Sequence, residues 1–394
     1  NMPPKKKVVE EEKKVLGRLS HSLSAGIVGL PNVGKSSFFN LITSQSIPAE
    51  NFPFCTIDPN EARVAVPDER FDWLVEHYKP ASVVPAYLQV TDIAGLVRGA
   101  SQGEGLGNNF LSHIRAVDGI VHLVRAFEDA DVVHVEMNVD PIRDLEIIHE
   151  ELLIKDIEFV QARFDHLHNI VSRGIDKSKK SEYEIVTRIL EFLKEERKPI
   201  RAGNWRNDEV EILNDLQLLT AKNAIYLVNL SESDFLRQRN KWLAKIMEWV
   251  RNHTGEAVIP FSVALEARLR DMPEDERAAF LAEKKTMSMF PKIIKSVYHT
   301  LRLCHYFTAG SDEVKGWTIR VGTKAPQAAG RIHSDFERGF ICAEVTPFED
   351  FKECGSEGAV KGAGKMKQQG KNYVVQDGDI VHFRFNVAGG GKKK

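Results

Sequence analysis

Three features of the sequence predict an α/β protein with more than one domain. A glycine-rich turn stands between a short apolar strand and a helix-compatible run at residues 25–40. After Pro141 the apolar residues recur at intervals of three and four, and the last third has short alternating strands with a tight turn at Asp377 and Gly378. A chain of 394 residues with 42% hydrophobic content exceeds one ordinary core, so we expect two or three domains.

The composition indicates a globular protein without an export signal. Basic and acidic side chains nearly cancel, 54 against 56, so any surface that attracts nucleic acid must be local. The cysteines show no CxxC spacing and fit neither a zinc site nor a disulfide framework; they are Cys55, Cys304, Cys342 and Cys354. The charged segment 1–20 is expected to be flexible, and no stretch reaches the ~20 apolar residues that span a bilayer. We therefore expect a cytoplasmic protein without membrane insertion.

The stretch AGIVGLPNVGKSSFFN contains Gly29-x-x-x-x-Gly34-Lys35-Ser36 between a strand and a helix. A chance glycine-rich turn is the alternative, but this context favours a P-loop, the phosphate-binding loop of nucleotide hydrolases. Its backbone N–H groups surround the phosphates, Lys35 reaches the β and γ oxygens, and Ser36 offers its hydroxyl to Mg²⁺. The predicted binding residues are Asn32, Val33, Gly34, Lys35, Ser36 and Ser37.

Two later segments predict the switches that such a loop needs to sense the γ-phosphate. NFPFCTIDPNEARV places Thr56 before a strand, where its hydroxyl can complete the Mg²⁺ shell. The next strand ends in Asp92, expected in the outer shell of the metal, and Gly95, whose N–H is expected at the γ-phosphate. Plain turn chemistry is the alternative for each segment alone, but their order after the P-loop favours switches.

The position after Gly95 predicts slow hydrolysis. It holds Leu96, where Ras-like enzymes carry the glutamine that orients the attacking water. A leucine cannot hydrogen-bond a water. Hydrolysis must then use another group of this chain, a residue of a partner protein or a bound cation.

The stretch AIYLVNLSESDF predicts a buried strand that runs into a polar turn where the base site is expected. GTP-binding proteins of this order carry Asn-Lys-x-Asp there, and the carboxylate takes both guanine N–H groups. Here Asn229 is followed by Leu230 and by the longer Glu232, so guanine loses its usual advantage. A simple turn after a strand is the alternative. The loop SVALE, with Ser262 and Val263, is expected beside the base.

Together, GIVGLPNVGKSS, NFPFCTIDPNEARV, DIAGLVRGASQGEGLGNNFLSHIRAVDGI and VNLSE resemble the YchF family, the Obg-like ATPases. The resemblance covers nearly the whole chain after about residue 20. It implies a P-loop NTPase domain of the Ras/Obg-like type that hydrolyses ATP in preference to, or alongside, GTP. It also implies a C-terminal TGS domain with a β-grasp fold, and a translation factor associated with ribosomes and stress responses. Ser37 stands where Thr is common in the family.

Two groups are candidates to assist hydrolysis. The resemblance implies a histidine in a mobile segment, matched here by His134, a side chain type suited to proton handling near neutral pH. A half-buried strand histidine without a catalytic part is the alternative. The second candidate is Asn32, because GTPases that lack the glutamine can use a P-loop asparagine to hold K⁺. The sequence also permits a regulatory protein partner.

The expected nucleotide-binding domain covers residues 21–140 and 205–285, interrupted by a helical arm, a coiled-coil pair, over 141–204. The TGS domain is expected over 300–388 and a basic tail over 389–394. The charges of the arm are explained by a solvated face or by a docking surface. Solubility and contact with RNA phosphates explain equally well the basic residues near the C-terminus, Lys352, Lys361, Lys365, Lys367, Lys371 and Lys392 to Lys394.

Two kinds of function remain open. In the first, the protein is a housekeeping nucleotidase; in the second, the bound nucleotide controls the binding of the arm and the TGS domain to the ribosome. The missing glutamine favours the second, because slow hydrolysis suits a switch better than a metabolic enzyme. A conventional GTP-specific regulatory GTPase, and an RNA-binding module whose hydrolysis is incidental, are further alternatives.

Overall fold

The computed structural model describes residues 14–18, 20, 22–46, 60–93, 112–129, 131, 134 and 136–386. Within these ranges the strands form two six-stranded sheets. The strands are β1 (Ser24–Val28), β2 (Glu61–Ala65), β3 (Ser82–Val84), β4 (Tyr87–Asp92), β5 (Gly119–Ala126), β6 (Asn223–Leu230), β7 (Val258–Phe261), β8 (Leu303–Ala309), β9 (Glu313–Arg320), β10 (Phe340–Thr346), β11 (Lys367–Gln369) and β12 (Ile380–Phe385).

The helices alternate with the strands in the first part of the chain, as expected for an α/β fold. In chain order they are α1 (Lys35–Thr43), α2 (Glu69–Tyr78), α3 (Pro141–Ser172), α4 (Lys180–Glu191), α5 (Asn207–Leu216), α6 (Glu232–Leu236), α7 (Leu243–His253), α8 (Val263–Asp271), α9 (Glu274–Lys284), α10 (Phe290–Thr300), α11 (Ala325–Gly330), α12 (Ser334–Arg338), α13 (Phe348–Cys354) and α14 (Glu357–Gly362). No helix in the described part of the chain combines the length and apolar composition needed to cross a membrane.

The first sheet has the spatial order β2-β4-β1-β5-β6-β7. Neighbouring strands are parallel, except that β2 runs antiparallel to β4. Every residue of β5 is buried, and so is every residue of β6 after Asn223, as expected for central strands of a parallel sheet. The carboxyl ends of β1, β5 and β6 therefore meet at one edge, the place where parallel α/β sheets bind ligands.

The arm begins at α3, as the helical spacing after Pro141 predicts. The carboxylate of Asp140 accepts hydrogen bonds from the first free N–H groups of this helix, and Pro141 occupies its first turn. Helix α4 returns alongside α3, where Arg163 pairs with Glu182. Helix α5 lies within the expected range 205–285 of the nucleotide-binding domain, yet it packs into the core of the arm. That core includes Val160, Leu167, Val186, Ile189, Leu193, Val210 and Leu213.

The second sheet has the spatial order β11-β10-β12-β8-β9-β3. Its strand β3 comes from residues 82–84, within the range 21–140, and runs parallel to β9. Helix α10 ends at Thr300, and β8 begins three residues later at Leu303. The two sheets are therefore joined by a strand that the nucleotide-binding range contributes to the C-terminal one.

Charged side chains hold the two sheets together at the start of α2. His305 Nε2 on β8 lies 2.7 Å from the carboxylate of Asp68, the residue that caps α2. Arg70 binds the same carboxylate and also reaches Asp377 Oδ2 at 2.8 Å. The contact thus joins the helix that follows β2 to the C-terminal part of the chain.

The N-terminal residues 14–18 contact three parts of the molecule. The Gly17 N–H donates to Asn214 Oδ1 on α5 at 2.8 Å. The Arg18 guanidinium binds the Asp118 carboxylate at the start of β5, with Nε 2.7 Å from Oδ1. Arg320, the last residue of β9, donates to the Arg18 carbonyl oxygen. This short segment therefore links the arm, the first sheet and the second sheet.

Candidate active site

A cavity of about 570 Å³ opens at the carboxyl ends of β1, β5 and β6. The P-loop forms one wall, the loop after β5 a second, and the segments after β6 and β7 the remainder. Its lining residues are Asn32, Gly34, Lys35, Ser36, Ser37, Phe127, Glu128, Asp129, Asn229, Leu230, Ser231, Glu232, Val263, Ala264 and Ala267. Most of the residues predicted to bind nucleotide are thus brought together.

The P-loop has the shape that its glycines predict. Gly34 has a φ of 103°, in the left-handed region, and a Cβ there would lie 2.6 Å from Asn229 Nδ2. A Cβ on Gly29 would lie 2.6 Å from the Leu123 carbonyl oxygen of β5. The residue before α1 is Gly34, which has no side chain to cap the helix, so among the described residues the first N–H groups of α1 are available to an anion. This is the arrangement that holds phosphate groups at a helix N-terminus.

Lys35 lies at the base of the loop with 8% of its surface exposed. Its ammonium group donates to the Leu30 carbonyl oxygen at 2.8 Å, so the side chain folds back across the loop. Burial lowers the pKa of Lys35 to about 8, against the attraction of Asp92. A phosphate bound in the cavity would place a negative charge beside the Lys35 ammonium group and would favour its charged form.

Asp92, the last residue of β4, fits the predicted Mg²⁺ site. Its Oδ1 is buried and has no hydrogen-bond partner among the described residues, and burial raises the pKa of the carboxyl above its usual range. Mg²⁺ prefers oxygen ligands. Asp92 does not line the cavity itself, but its charge interacts with that of Lys35, and Lys35 and the next residue, Ser36, both line the cavity. The described ranges contain no cluster of three or more His, Cys, Asp or Glu side chains suited to a metal. The Mg²⁺ ion would then be held by Asp92, Ser36 and the phosphates of the nucleotide, without a cluster of protein carboxylates.

Asn229 ties the P-loop to the base end of the cavity. Its side chain is buried, and its Nδ2 donates to the Val33 carbonyl oxygen at 3.1 Å. Its Oδ1 accepts from the Val263 N–H at 3.1 Å, at the start of α8. Asn229 therefore fixes two loops relative to one another, while the side chain of Val33 is itself buried below the loop.

The two residues predicted to weaken guanine binding have different surroundings. Leu230 is 4% exposed and packs in a core cluster with Ala126 and Leu145, with part of its surface on the cavity. Glu232 begins α6, and its Oε1 accepts from Arg268 Nη1 of α8 at 2.6 Å. The carboxylate at the base end of the cavity is thus already engaged by a cation.

Comparison with known proteins adds to this geometry. A family model described as a 50S ribosome-binding GTPase matches residues 24–162, and the YchF-GTPase_C model, described as a protein of unknown function, matches residues 303–386. The chain is 62% identical to Obg-like ATPase 1 of Oryza sativa subsp. japonica and 57% identical to that of Homo sapiens, with 100% of both chains covered in each case. The solved structure of the Schizosaccharomyces pombe YchF GTPase is 54% identical, with a TM-score of 0.87 over 94% of this chain and 100% of that chain.

The chain belongs to the YchF family of Obg-like ATPases. The P-loop NTPase fold and a nucleotide hydrolase activity follow from this membership, together with the binding of a nucleotide substrate. The C-terminal sheet corresponds to the YchF C-terminal domain, since the match at residues 303–386 spans β8 to β12. Family members of the P-loop GTPase type generally use Mg²⁺, in agreement with the surroundings of Asp92.

Some residues predicted for this YchF site do not line the cavity. Ser262 is 1% exposed, and its hydroxyl caps α8 by accepting from the Leu265 N–H. It supports the loop that carries Val263, which does line the cavity. Thr56 and Gly95, predicted for the metal and the γ-phosphate, lie outside the described residues.

His134, the predicted catalytic histidine, is buried with 4% of its surface exposed and does not line the cavity. Its Nδ1 accepts from the Glu136 N–H at 3.0 Å, so its Nε2 carries the proton in the neutral ring. That Nε2 lies 2.7 Å from Asp144 Oδ2 in the first turn of α3. Both ring nitrogens are therefore engaged, and the structure does not bring His134 together with Lys35.

The wall formed by Phe127, Glu128 and Asp129 was not predicted from the sequence. This loop follows β5 and has no recognisable motif. One signal was present, because β5 contains Arg125 and, apart from His122, otherwise only apolar residues. An arginine near the end of a buried strand needs several hydrogen-bond acceptors. The loop that supplies these acceptors is the one that the arginine holds in place.

Proposed function

We propose that this family member hydrolyses ATP in preference to GTP. The observation that carries the proposal is the 2.6 Å hydrogen bond from Arg268 Nη1 to Glu232 Oε1. Guanine presents its N1–H and exocyclic N–H groups together and requires a carboxylate that is free to accept both. A carboxylate that already accepts from a guanidinium is a poor partner for them. Adenine has no N1–H, so it loses less in such a site.

Leu230 supports the same preference. The position gives the cavity an apolar surface instead of a lysine stem, and apolar surface binds a purine face without regard to its polar edge. Ala264 and Ala267 of α8 add further apolar surface. The relatives at 57% to 62% identity carry the name Obg-like ATPase 1, which agrees with an adenine nucleotide as substrate.

In the proposed reaction the P-loop N–H groups and Lys35 bind the β- and γ-phosphates of the nucleotide. Mg²⁺, held by Ser36, Thr56 and Asp92, would neutralise phosphate charge as water attacks. The Gly95 N–H is assigned to the γ-phosphate. His134 would need to leave Asp144 to reach the reacting water, and nothing in the described residues favours K⁺ at Asn32 over a residue supplied by a partner protein.

The base preference is tested by the ratio of the ATP and GTP dissociation constants. Arg268→Gln frees the carboxylate of Glu232, and we expect the ratio to shift toward GTP by about tenfold or more, since a hydrogen bond to a charged group contributes about 1.5–3 kcal/mol. The loss of the ion pair should cost little stability, because 46% of the Arg268 side chain and 28% of the Glu232 side chain are exposed.

Arg270→Gln is the matched control. Arg270 lies on the same helix and pairs with Asp271, and it does not line the cavity. The ratio of the ATP and GTP dissociation constants of Arg270→Gln should equal that of the wild type. If wild type binds GTP as well as ATP, the preference for adenine is wrong; if Arg268→Gln leaves the ratio unchanged, the base is selected elsewhere.

We further propose that the protein acts in the cytoplasm and takes part in stress responses. In this proposal the bound nucleotide controls its association with ribosomes. The match to a family described as a 50S ribosome-binding GTPase supports this second function. The arm and a C-terminal domain of the TGS type are the proposed contact surfaces. The basic character of that domain is partly neutralised, since Lys365 pairs with Asp350 and Glu353. Co-sedimentation with purified ribosomes in ATP, ADP and nucleotide-free buffer tests the proposal, and equal binding in all three contradicts a switch.

A further inference from the structure

Arg125 is a buried cation behind the nucleotide cavity. It lies near the end of β5 with 1% of its surface exposed, and it is absent from the cavity lining. Its guanidinium reaches backbone carbonyl oxygens of two different loops. Nη1 lies 3.4 Å from the Asn32 oxygen in the P-loop, Nε lies 3.2 Å from the Phe127 oxygen, and Nη2 lies 3.5 Å from the Asp129 oxygen.

The P-loop contact has a counterpart on the neighbouring strand. Arg125 is paired in register with Asn229 of β6, so the two side chains project on the same face of the sheet. Asn229 holds the Val33 carbonyl oxygen, and Arg125 holds that of Asn32. Two adjacent side chains thus bind consecutive carbonyl groups of the P-loop. Asn229 belongs to the base motif, whereas Arg125 has no assigned part.

The second pair of contacts fixes the opposite wall of the cavity. The carbonyl oxygens of Phe127 and Asp129 in this loop accept hydrogen bonds from Arg125. The centroid of the Phe127 ring lies 4.6 Å from the Arg125 guanidinium carbon. A guanidinium over an aromatic face is attracted by the ring and restricts its orientation. The same side chain therefore contacts both the P-loop and the Phe127 wall.

Only arginine suits this position. Burial lowers the pKa of Arg125, while Asp129 and Asp144 oppose that effect, so the charge is kept beside two carboxylates. The planar guanidinium has five N–H donors that diverge in fixed directions and is more weakly hydrated than an ammonium group. A lysine ammonium group at the same place would reach one loop, not both.

We propose that Arg125 is a positioning residue for nucleotide hydrolysis, which sets the width of the cavity by binding the P-loop and the Phe127 wall together. In this proposal both walls hold the nucleotide to the same extent before and during the reaction. Loss of this link therefore weakens the binding of the nucleotide by the same amount in the ground state and in the transition state. As a result KM rises while kcat is retained. The proposal depends on the hydrolase activity alone and holds for either purine.

The test measures kcat and KM of the full chain with whichever triphosphate the wild type hydrolyses faster. We expect Arg125→Met to raise KM about tenfold and Arg125→Lys about threefold, with kcat within about twofold of wild type for both. Arg201→Lys is the matched control, because only 9% of the Arg201 side chain is exposed and it binds Glu256, Tyr226 and the Thr220 carbonyl oxygen beneath the arm, away from the cavity. Its KM should equal that of the wild type.

Thermal melting curves accompany the kinetics. If Arg125→Met does not fold, Arg125→Lys decides the test, since it keeps the buried charge. A folded Arg125→Lys with the KM of wild type overturns the proposal. So does an equal rise in KM for Arg201→Lys, because a general loss of packing would then explain the effect. A fall in kcat at constant KM also overturns it, since Arg125 would then act on the transition state.

Discussion

Lys35 lines the phosphate end of the cavity, and Asp92 lies close enough for the two charges to interact. Both groups are partly withdrawn from water. Burial lowers the pKa of Lys35 to about 8 and raises the pKa of Asp92, so each group is displaced toward its neutral form. Each group opposes the shift of the other through its charge. A nucleotide with Mg²⁺ supplies phosphate charge to the lysine and a cation to the carboxylate. Binding of the nucleotide with Mg²⁺ would therefore stabilise the charged forms of both groups, as expected for a phosphate-binding site.

This pair predicts how nucleotide affinity depends on pH. Phosphate binds the protonated form of Lys35, and free Lys35 loses its proton as the pH rises through about 8. We expect the dissociation constant of a non-hydrolysable ATP analogue to increase from about pH 8 upward, by at most tenfold per pH unit. Isothermal titration between about pH 7 and about pH 9.5 measures it.

Lys35→Arg separates this effect from other titrations. A guanidinium stays protonated throughout the range, so the affinity of the variant should be independent of pH even if it is weaker overall. A wild-type affinity that is equally independent of pH would mean that Lys35 keeps its proton without the nucleotide.

Local motifs made the phosphate end of the site predictable from the sequence. The spacing from Gly29 to Ser36 fixes the loop within eight consecutive residues, and four of them line one cavity: Asn32, Gly34, Lys35 and Ser36. The partner of Glu232 was not predictable, because Arg268 is 36 residues away and is brought close only by the packing of α8 beside α6. Arg125 was missed for the same reason, since its acceptors lie on two separate loops.

At the scale of elements, the arm is tied to the first sheet by one buried carboxylate. Asp156 of α3 accepts from the Leu219 N–H at 2.9 Å, the Thr220 N–H at 2.8 Å and the Thr220 hydroxyl at 2.7 Å. These residues immediately precede β6, the strand that leads to the base site. Burial raises the pKa of Asp156 to about 6, although these hydrogen bonds oppose the shift. The link between the arm and the strand is therefore local and specific.

We expect Asp156→Ala to loosen this connection. The change leaves two buried N–H donors without an acceptor, at a cost of about 2 kcal/mol or more, which corresponds to roughly thirtyfold faster exchange of those amides. Hydrogen exchange of peptides that cover residues 219 and 220 measures it. The control is Asp165→Ala on the exposed face of the same helix, where the carboxylate accepts from Gln161. Equal protection in the two variants would contradict the role of Asp156.

The helical pattern predicted α3 and α4 well, because the apolar spacing of a long helix is a local property. It did not predict that α5 joins the arm, since Val210 and Leu213 have the spacing of any amphipathic helix and only the tertiary structure determines their partners. Strand β3 was equally hidden. Its three residues pair with β9 across more than two hundred residues of sequence, and so short a strand gives no periodic signal.

At the scale of the whole molecule, the contact around Asp68 joins the two sheets by charge. The carboxylate caps α2 through the Arg70 N–H, and it also binds the Arg70 guanidinium and His305. Burial opposes ionisation here, but the hydrogen bonds from His305 and Arg70 outweigh it and hold the pKa of Asp68 well below its usual range. Because Arg70 also reaches Asp377, loss of the Asp68 charge would affect both sides of the junction.

This junction should weaken in acid. A carboxyl group whose pKa is depressed by folding stabilises the folded state above its unfolded pKa of about 3.9, and this contribution is lost as the pH falls below that value. We expect the contact between the C-terminal sheet and the first sheet to weaken progressively as the pH falls below about 4 toward the depressed pKa of Asp68, while both sheets remain folded near neutral pH. Asp68→Asn should produce the same loosening at neutral pH, because it removes the charge that His305 and Arg70 share.

Differential scanning calorimetry with limited proteolysis of the full chain measures this junction. The expected result for Asp68→Asn is two resolved thermal transitions and faster cleavage between α10 and β8, neither of which changes further as the pH is lowered. Asp350→Asn provides the control, since Asp350 pairs with Lys365 on the surface of the C-terminal sheet alone. If Asp68→Asn melts at neutral pH in one transition with the midpoint of the wild type, packing and the N-terminal contacts of Arg18 and Arg320 hold the molecule together, and the charge network contributes little.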